Sequence, residues 1–168
     1  MPPHLSALLD RASAALCDFG GWLLALMAVL INVEIFARYV LNRSTLIADE
    51  YAGYMFVWMS LFGFAHALRS GQFLRVEALV MRFGPRPRAF CDLLAALVGL
   101  GVAAIATWSA SQLFMSSWRF GTVSIQPSAT PLWMAQIAIP LGLAWLALLY
   151  VDLVRQAVAA LRGGATTR

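Results

Sequence analysis

Charge is scarce in this chain of 168 residues: Asp, Glu, Lys and Arg make up 12%, and lysine is absent, so all twelve basic residues are arginine. A soluble domain carries about a quarter charged residues. Histidine is limited to His4 and His66. A haem held by two imidazoles in the bilayer would need a partner for His66, and His4 lies too near the terminus, which excludes a membrane cytochrome. Cysteine is limited to Cys17 and Cys91, and two cysteines with no histidine beside them make no zinc site. Long polar segments are missing too. No connection between apolar stretches exceeds about 20 residues, which leaves no room for a folded catalytic or nucleotide-binding module. There is no Ser/His/Asp constellation and no carboxylate pair at a metal-binding spacing, so an enzyme has little support and no cofactor is expected.

Hydrophobic residues are abundant, at 61%. They fall in four stretches, Phe19–Leu41, Leu46–Leu68, Arg88–Met115 and Leu132–Val154. Each meets the ~20 residues that a helix needs to cross ~30 Å of hydrocarbon. The formal charge of +4 therefore reports orientation and not nucleic-acid binding. Arg11 precedes the first stretch, Arg69, Arg75, Arg82, Arg86 and Arg88 lie between the second and third, and Arg155, Arg162 and Arg168 lie at the end. The other two connections hold only Arg43 and Arg119. The positive-inside rule puts both termini and the middle loop in the cytoplasm, as an even number of spans requires. Cys17 and Cys91 then sit near the reducing side, where a structural disulfide is not expected. The fold class is an all-α membrane protein: a single four-helix membrane domain over residues 1–168.

Two further helices are expected on the cytoplasmic surface. Leu5, Leu8, Leu9, Ala12 and Leu16 recur at helical spacing with Asp10, Arg11 and Ser13 between them, a pattern suited to a helix lying on the membrane, the alternative being a disordered leader. Asp10, Asp18 and the late start of the apolar run argue against a cleaved signal. In the middle loop Phe73, Val76, Val80 and Phe83 repeat similarly, ended by Gly84-Pro85-Arg86-Pro87. The third stretch continues into Thr107, Ser109, Ser111, Gln112, Ser116 and Ser117, so this helix must tilt or project outward. Pro131 suits the first turn of the fourth span, and Pro140 inside it predicts a kink.

Polar side chains within the spans are few. Glu34 and Arg38 are four apart and can pair on one helix face. Asn32 lies on a neighbouring face, and all must face protein or a wet cavity. The short turn Asn42–Thr45 places Asp49 and Glu50 at a depth similar to Arg38. This predicts one cluster of Asn32, Glu34, Arg38, Asp49 and Glu50 near the outer leaflet. Tyr54, Trp58 and Phe62 continue from Glu50 at steps of four as an aromatic stripe. Glu34 could carry a proton, as in a self-sufficient small four-helix proton-coupled exporter. Arg38 is placed to neutralise it, which favours a structural cluster.

The order of these features resembles the small membrane subunit of tripartite ATP-independent periplasmic (TRAP) transporters. The likeness runs from about Asp18 to Val154. It is carried by Asn32, Arg38-Tyr39 and Asn42, then Asp49-Glu50, Tyr54, Trp58, Gly63 and Ala67. Gly71 and Phe73-Leu74-Arg75-Val76-Glu77 follow, and Pro127, Pro131-Leu132-Trp133 and Pro140-Leu141-Gly142 come late. Departures are Phe73 where the family usually has histidine, Glu77 for aspartate, and Ala48 for tryptophan. The resemblance implies a multi-pass protein of the bacterial inner membrane, embedded in lipid. It implies stable association with a large membrane subunit that carries the substrate and sodium sites, and transient contact with a periplasmic receptor that delivers an organic acid. The small subunit is expected to act as scaffold. Tyr54, Trp58 and Phe62, or the small residues Gly99, Gly101, Ala103 and Ala104, are candidate docking faces for the large subunit. Arg119, Gln126 and Ser128 are candidates to face the receptor.

Overall fold

A computed structural model describes residues 3–44, 46–70 and 85–163. Five helices follow in order: α1 Pro3–Val40, α2 Ala48–Arg69, α3 Pro85–Phe120, α4 Leu132–Gln136 and α5 Ala138–Gly163. The expected surface helix at residues 73–83 lies outside the described residues.

The helix ends follow from local chemistry. Asn42 takes a left-handed φ of 53°, and the Arg43 N–H reaches back to the Ala37 carbonyl at 3.1 Å, a six-residue closure that ends α1. Asp49 and Glu50 occupy the first turn of α2, where the helix dipole favours acidic groups. Pro85 and Pro87 open α3, since a first turn has no use for their missing N–H groups. Beyond α3 the chain turns at Gly121, with φ 58°. A tight loop returns through the isolated Val123–Pro131 bridge, with Ser124 N–H donating to the Thr130 carbonyl at 2.8 Å. Pro131 is the residue that caps α4.

The fourth stretch is broken as Pro140 predicts. Its ring denies the Gln136 carbonyl a partner, and α4 stops there, two residues before α5 begins. The N-terminal expectation is corrected. Residues before Phe19 do not form a separate helix but continue α1, a helix of 38 residues and ~57 Å. The Gly20-Gly21 pair between the two patterns does not interrupt the helix, and Leu9 and Ser13 of the N-terminal turns are buried while Leu8 is exposed.

Among the described residues three segments are long and apolar enough to cross a membrane: Ser6–Val40, Pro87–Phe120 and Leu132–Leu161. α2, at 22 residues, has the length but is less apolar, because it carries Asp49, Glu50, His66 and Arg69 with two tyrosines and a tryptophan.

Among the described residues the helices pack as a row and not as a closed bundle. α1 lies on α2, α2 on α5, and α5 on α3, whereas α1 and α3 share no substantial contact. The α1–α2 pair is antiparallel: Phe19 meets Phe62 with ring centroids 6.0 Å apart, and Arg69 meets Asp10. α2 and α5 run parallel. α3 and α5 pack closely at Gly99, where a Cβ would overlap the Tyr150 ring. On the α2–α5 side a Cβ on Gly142 would meet Leu61 Cβ at 2.8 Å, so both glycines admit a neighbour that any larger residue would displace. The buried core sits at the end of the row that holds the first turns of α1 and the last turn of α2. This is called the inner end and its opposite the outer end, as labels of the row alone. Leu9, Ala65 and Leu149 join Leu68 and Trp145 at the inner end. α1, α2 and α5 converge only there.

Candidate functional site

The α2–α5 seam is tied by polar contacts at three depths. At the inner end Arg69, in the last turn of α2, has a side chain only 10% exposed. Its Nε donates to Asp10 Oδ1 at 2.6 Å, its Nη1 to Asp152 Oδ2 at 2.5 Å, and its Nη2 to the Ser6 carbonyl at 3.2 Å. Gln156 Nε2 adds a bond to the same Asp152 oxygen at 2.9 Å. One guanidinium thus joins α1, α2 and α5, and its planar fork suits that task better than a lysine would. Close by, Trp145 Nε1 donates to the Ser13 hydroxyl at 3.3 Å. His66 lies one turn before Arg69, and its buried Nδ1 has no hydrogen bond among the described residues.

In the middle, Trp58 Nε1 donates to the Ala135 carbonyl at 3.0 Å. That carbonyl lies beside the Gln136 carbonyl that Pro140 leaves without its helical donor, so the indole ties α2 to the last turn of α4 next to the break. At the outer end Glu50 is buried and accepts from the Tyr54 hydroxyl at 2.5 Å and from the Ser128 hydroxyl. Tyr51 and Thr130 share a hydrogen bond at 3.1 Å, and Thr130 donates to Ser128 Oγ at 3.0 Å. The loop before α4 is thereby held down on the start of α2.

The acidic and basic groups expected in one cluster form separate sets. Glu34 is buried and paired with Arg38 at 3.2 Å, and the Ser44 hydroxyl donates to it at 2.5 Å. Glu50 belongs instead to the hydroxyl set just described. Asp49 is exposed, and Asn32, also exposed, donates to the Ala28 carbonyl of its own helix at 2.7 Å. The reason is angular: Asn32 and Glu34 are two residues apart, about 200° around the helix, and so cannot share a face.

Of the two faces picked out as docking surfaces, the aromatic stripe makes contacts within the chain, and the small-residue face is divided, with Gly101 and Ala104 exposed. Tyr54 and Trp58 make the bonds above, and Phe62 packs edge-on to Trp58 with centroids 6.3 Å apart. Gly99 and the buried Ala103 lie in α3, Gly99 against Tyr150. At the outer loop Arg119 and Gln126 are exposed, but Ser128 turns inward to Glu50.

Sequence reasoning missed the Arg69 node. Its signal was Asp152, a carboxylate among apolar residues of the last helix, which needs a cation nearby when buried. The described residues contain no group of three or more His, Cys, Asp or Glu able to hold a metal. A shallow open groove of about 440 Å³ lies on α1, lined by Ala28, Val29, Asn32, Val33 and Phe36.

Long apolar helices whose buried charges are tied to one another define a helical integral membrane protein with its polar groups used in assembly. Comparison with known proteins places it more closely. Residues 27–160 match the DctQ component of tripartite ATP-independent periplasmic transporters, and the chain belongs to that family. It is a family of transporter components and not of enzymes, which makes this an integral protein of the bacterial inner membrane. The chain is similar to a putative TRAP transporter small permease protein of Haemophilus influenzae, 28% identical over 94 residues, 56% of each chain. It is similar also to the C4-dicarboxylate TRAP transporter small permease protein DctQ of Rhodobacter capsulatus, 31% identical over 98 residues, 56% of this chain and 41% of that one. The matched segment spans about half the length of these curated relatives. No solved structure matches the chain.

Proposed function

We propose that this chain is the small permease subunit that scaffolds a large membrane subunit for sodium-coupled uptake of an organic acid delivered by a periplasmic receptor. In this reading α2 is a fourth span and both termini are cytoplasmic. The distribution of arginine supports that orientation, and α2 lies between two apolar neighbours, α1 and α5. Arg119 and Gln126, left exposed on the outer loop, face the receptor. The observation that carries the reading is the match to the family over residues 27–160. The internal pairing of Glu34, Glu50 and Asp152 agrees with it, since a carboxylate that exchanges an ion must be able to leave its partner.

The competing reading is a small exporter that moves protons on Glu34. It requires that carboxylate to part from Arg38 and Ser44. Reconstitution separates the two. The scaffold reading expects no transport from liposomes holding this chain alone, and uptake once a large subunit and a loaded receptor are added. Transport by the chain alone would overturn it.

A further inference from the structure

The two edges of the row, α1 and α3, change character along their length in opposite senses. On α3, residues at steps of three and four share one exposed face. Val98, Val102 and Ile105 hold its inner part, and Ser109, Gln112, Ser116 and Arg119 hold its outer part. Leu113, Met115 and Trp118 are exposed around them, a mixture that suits the membrane surface and not its hydrocarbon. On α1 the exposed face that carries Arg11 and Asp18 continues outward as Trp22, Val29 and Phe36. Asn32 alone is polar among the exposed residues from Phe19 to Phe36.

The two changes fall at one level. Phe19 meets Phe62, and the neighbouring Leu61 meets Gly142. Tyr150, eight residues further inward along α5 and so ~12 Å away, meets Gly99. The same ~12 Å outward along α3 reaches Thr107. Phe19 and Thr107 therefore lie abreast, and at that height α1 turns from charged to apolar while α3 turns from apolar to polar.

A membrane lying square across such a row fails on one edge or the other. Set at the height of the apolar face of α1, it strands Ser109, Gln112, Ser116 and Arg119 in hydrocarbon. Set at the height of the apolar face of α3, it leaves Trp22, Val29 and Phe36 in water. We infer that the hydrocarbon crosses the row obliquely, covering the outer part of α1 and the inner part of α3, so that the outer third of α3 and the loop after it stand clear of the lipid. From Asp18 to Arg38, and from Arg88 to Ser109, each helix rises ~30 Å, the depth of the hydrocarbon. An inclination of ~40° in the plane of the row, the upper end for membrane helices, shifts the band by ~20 Å between edges ~27 Å apart. Local thinning at the charged ends takes up the rest. The inference needs only an integral membrane protein and holds under either transport reading. It leaves Arg119 and Gln126 in water, where a soluble receptor can reach them.

Spin labels test the band directly. The full chain, with Cys17 and Cys91 replaced by alanine, carries one cysteine-linked label at a time in nanodiscs of phosphatidylethanolamine and phosphatidylglycerol. Oxygen concentrates in hydrocarbon, and a charged nickel chelate stays in water. Val29 on α1 lies abreast of Ser116 on α3, and Ala7 on α1 lies near the height of Val98 on α3; all four are exposed. Oxygen collisions are expected to dominate at Val29→Cys and Val98→Cys, and nickel collisions at Ser116→Cys and Ala7→Cys. The sense of the contrast between the edges thus reverses from one height to the other. An upright row would instead give both members of a pair the same surroundings, and that result for either pair would overturn the inference.

Discussion

The two ends of the α2–α5 seam are fastened differently. The inner end uses charge: Arg69 holds two carboxylates and a carbonyl from α1 and α5. The outer end uses hydroxyls, with Tyr54 and Ser128 on Glu50 and Tyr51 on Thr130. An ion pair in a dry setting cannot lose one member without stranding the other. A set of hydroxyls can rotate and re-pair when one acceptor changes. The inner end, where three helices converge on a core, is therefore the more brittle of the two. The outer end, where a loop is fastened to a helix start, can adjust.

Arg69→Met tests that contrast most severely. It strands Asp152, and should cost about 3–5 kcal/mol, read as a large drop in the unfolding midpoint of the detergent-solubilised protein. Replacing Asp152 by Leu in the same chain should restore much of the loss, and no restoration would argue that Asp10 is the partner that matters. Glu50→Leu at the outer end should cost less, about 1.5–3 kcal/mol, the range for hydrogen bonds to a charged group. Accessibility of the loop to protease should rise with it. A loss equal to that of Arg69→Met would remove the distinction between the ends. Trp58→Phe, between them, keeps the ring and deletes the bond to Ala135, for an expected ~0.6 kcal/mol as interhelical bonds in membranes average. Unfolding by SDS titration has the sensitivity to resolve it. The smallest effect is expected from Glu34→Gln, which still accepts from Ser44 and Arg38. Uptake by the reconstituted complex should stay within about twofold of wild type, and its abolition would favour proton carriage by Glu34.

Much of this arrangement is legible in the residues. The four apolar stretches, the Pro140 break and the Glu34–Arg38 pair all follow from periodicity and local sterics. Contacts between distant segments do not. Asp10, Arg69 and Asp152 share a node only because α2 and α5 run parallel with α1 folded back on them, and no spacing along the chain encodes that. The division of the acidic cluster was half legible: the 200° between Asn32 and Glu34 is in the sequence, but Ser128 as the partner of Glu50 depends on where the loop lands. The aromatic stripe has a use within the chain that its spacing does not reveal. A tryptophan in an apolar helix suits a partner protein and a neighbouring helix equally, and only the placement of the Ala135 carbonyl gives the Trp58 indole its partner within the chain.

The row of helices has a mechanical meaning. Over most of their height the described residues make a plate one helix thick, and a thin plate bends far more readily across its face than in its plane. Its crease would run along α2 and α5, the line stitched at three levels. Motion about that line would sweep α1 and α3 through the widest arcs, and the bonds from Arg69 to Asp10 and Ser6 of α1 would resist it. A sideways push received at one edge of such a plate reaches the other edge as tilt, and neither neighbour is raised or lowered in the membrane.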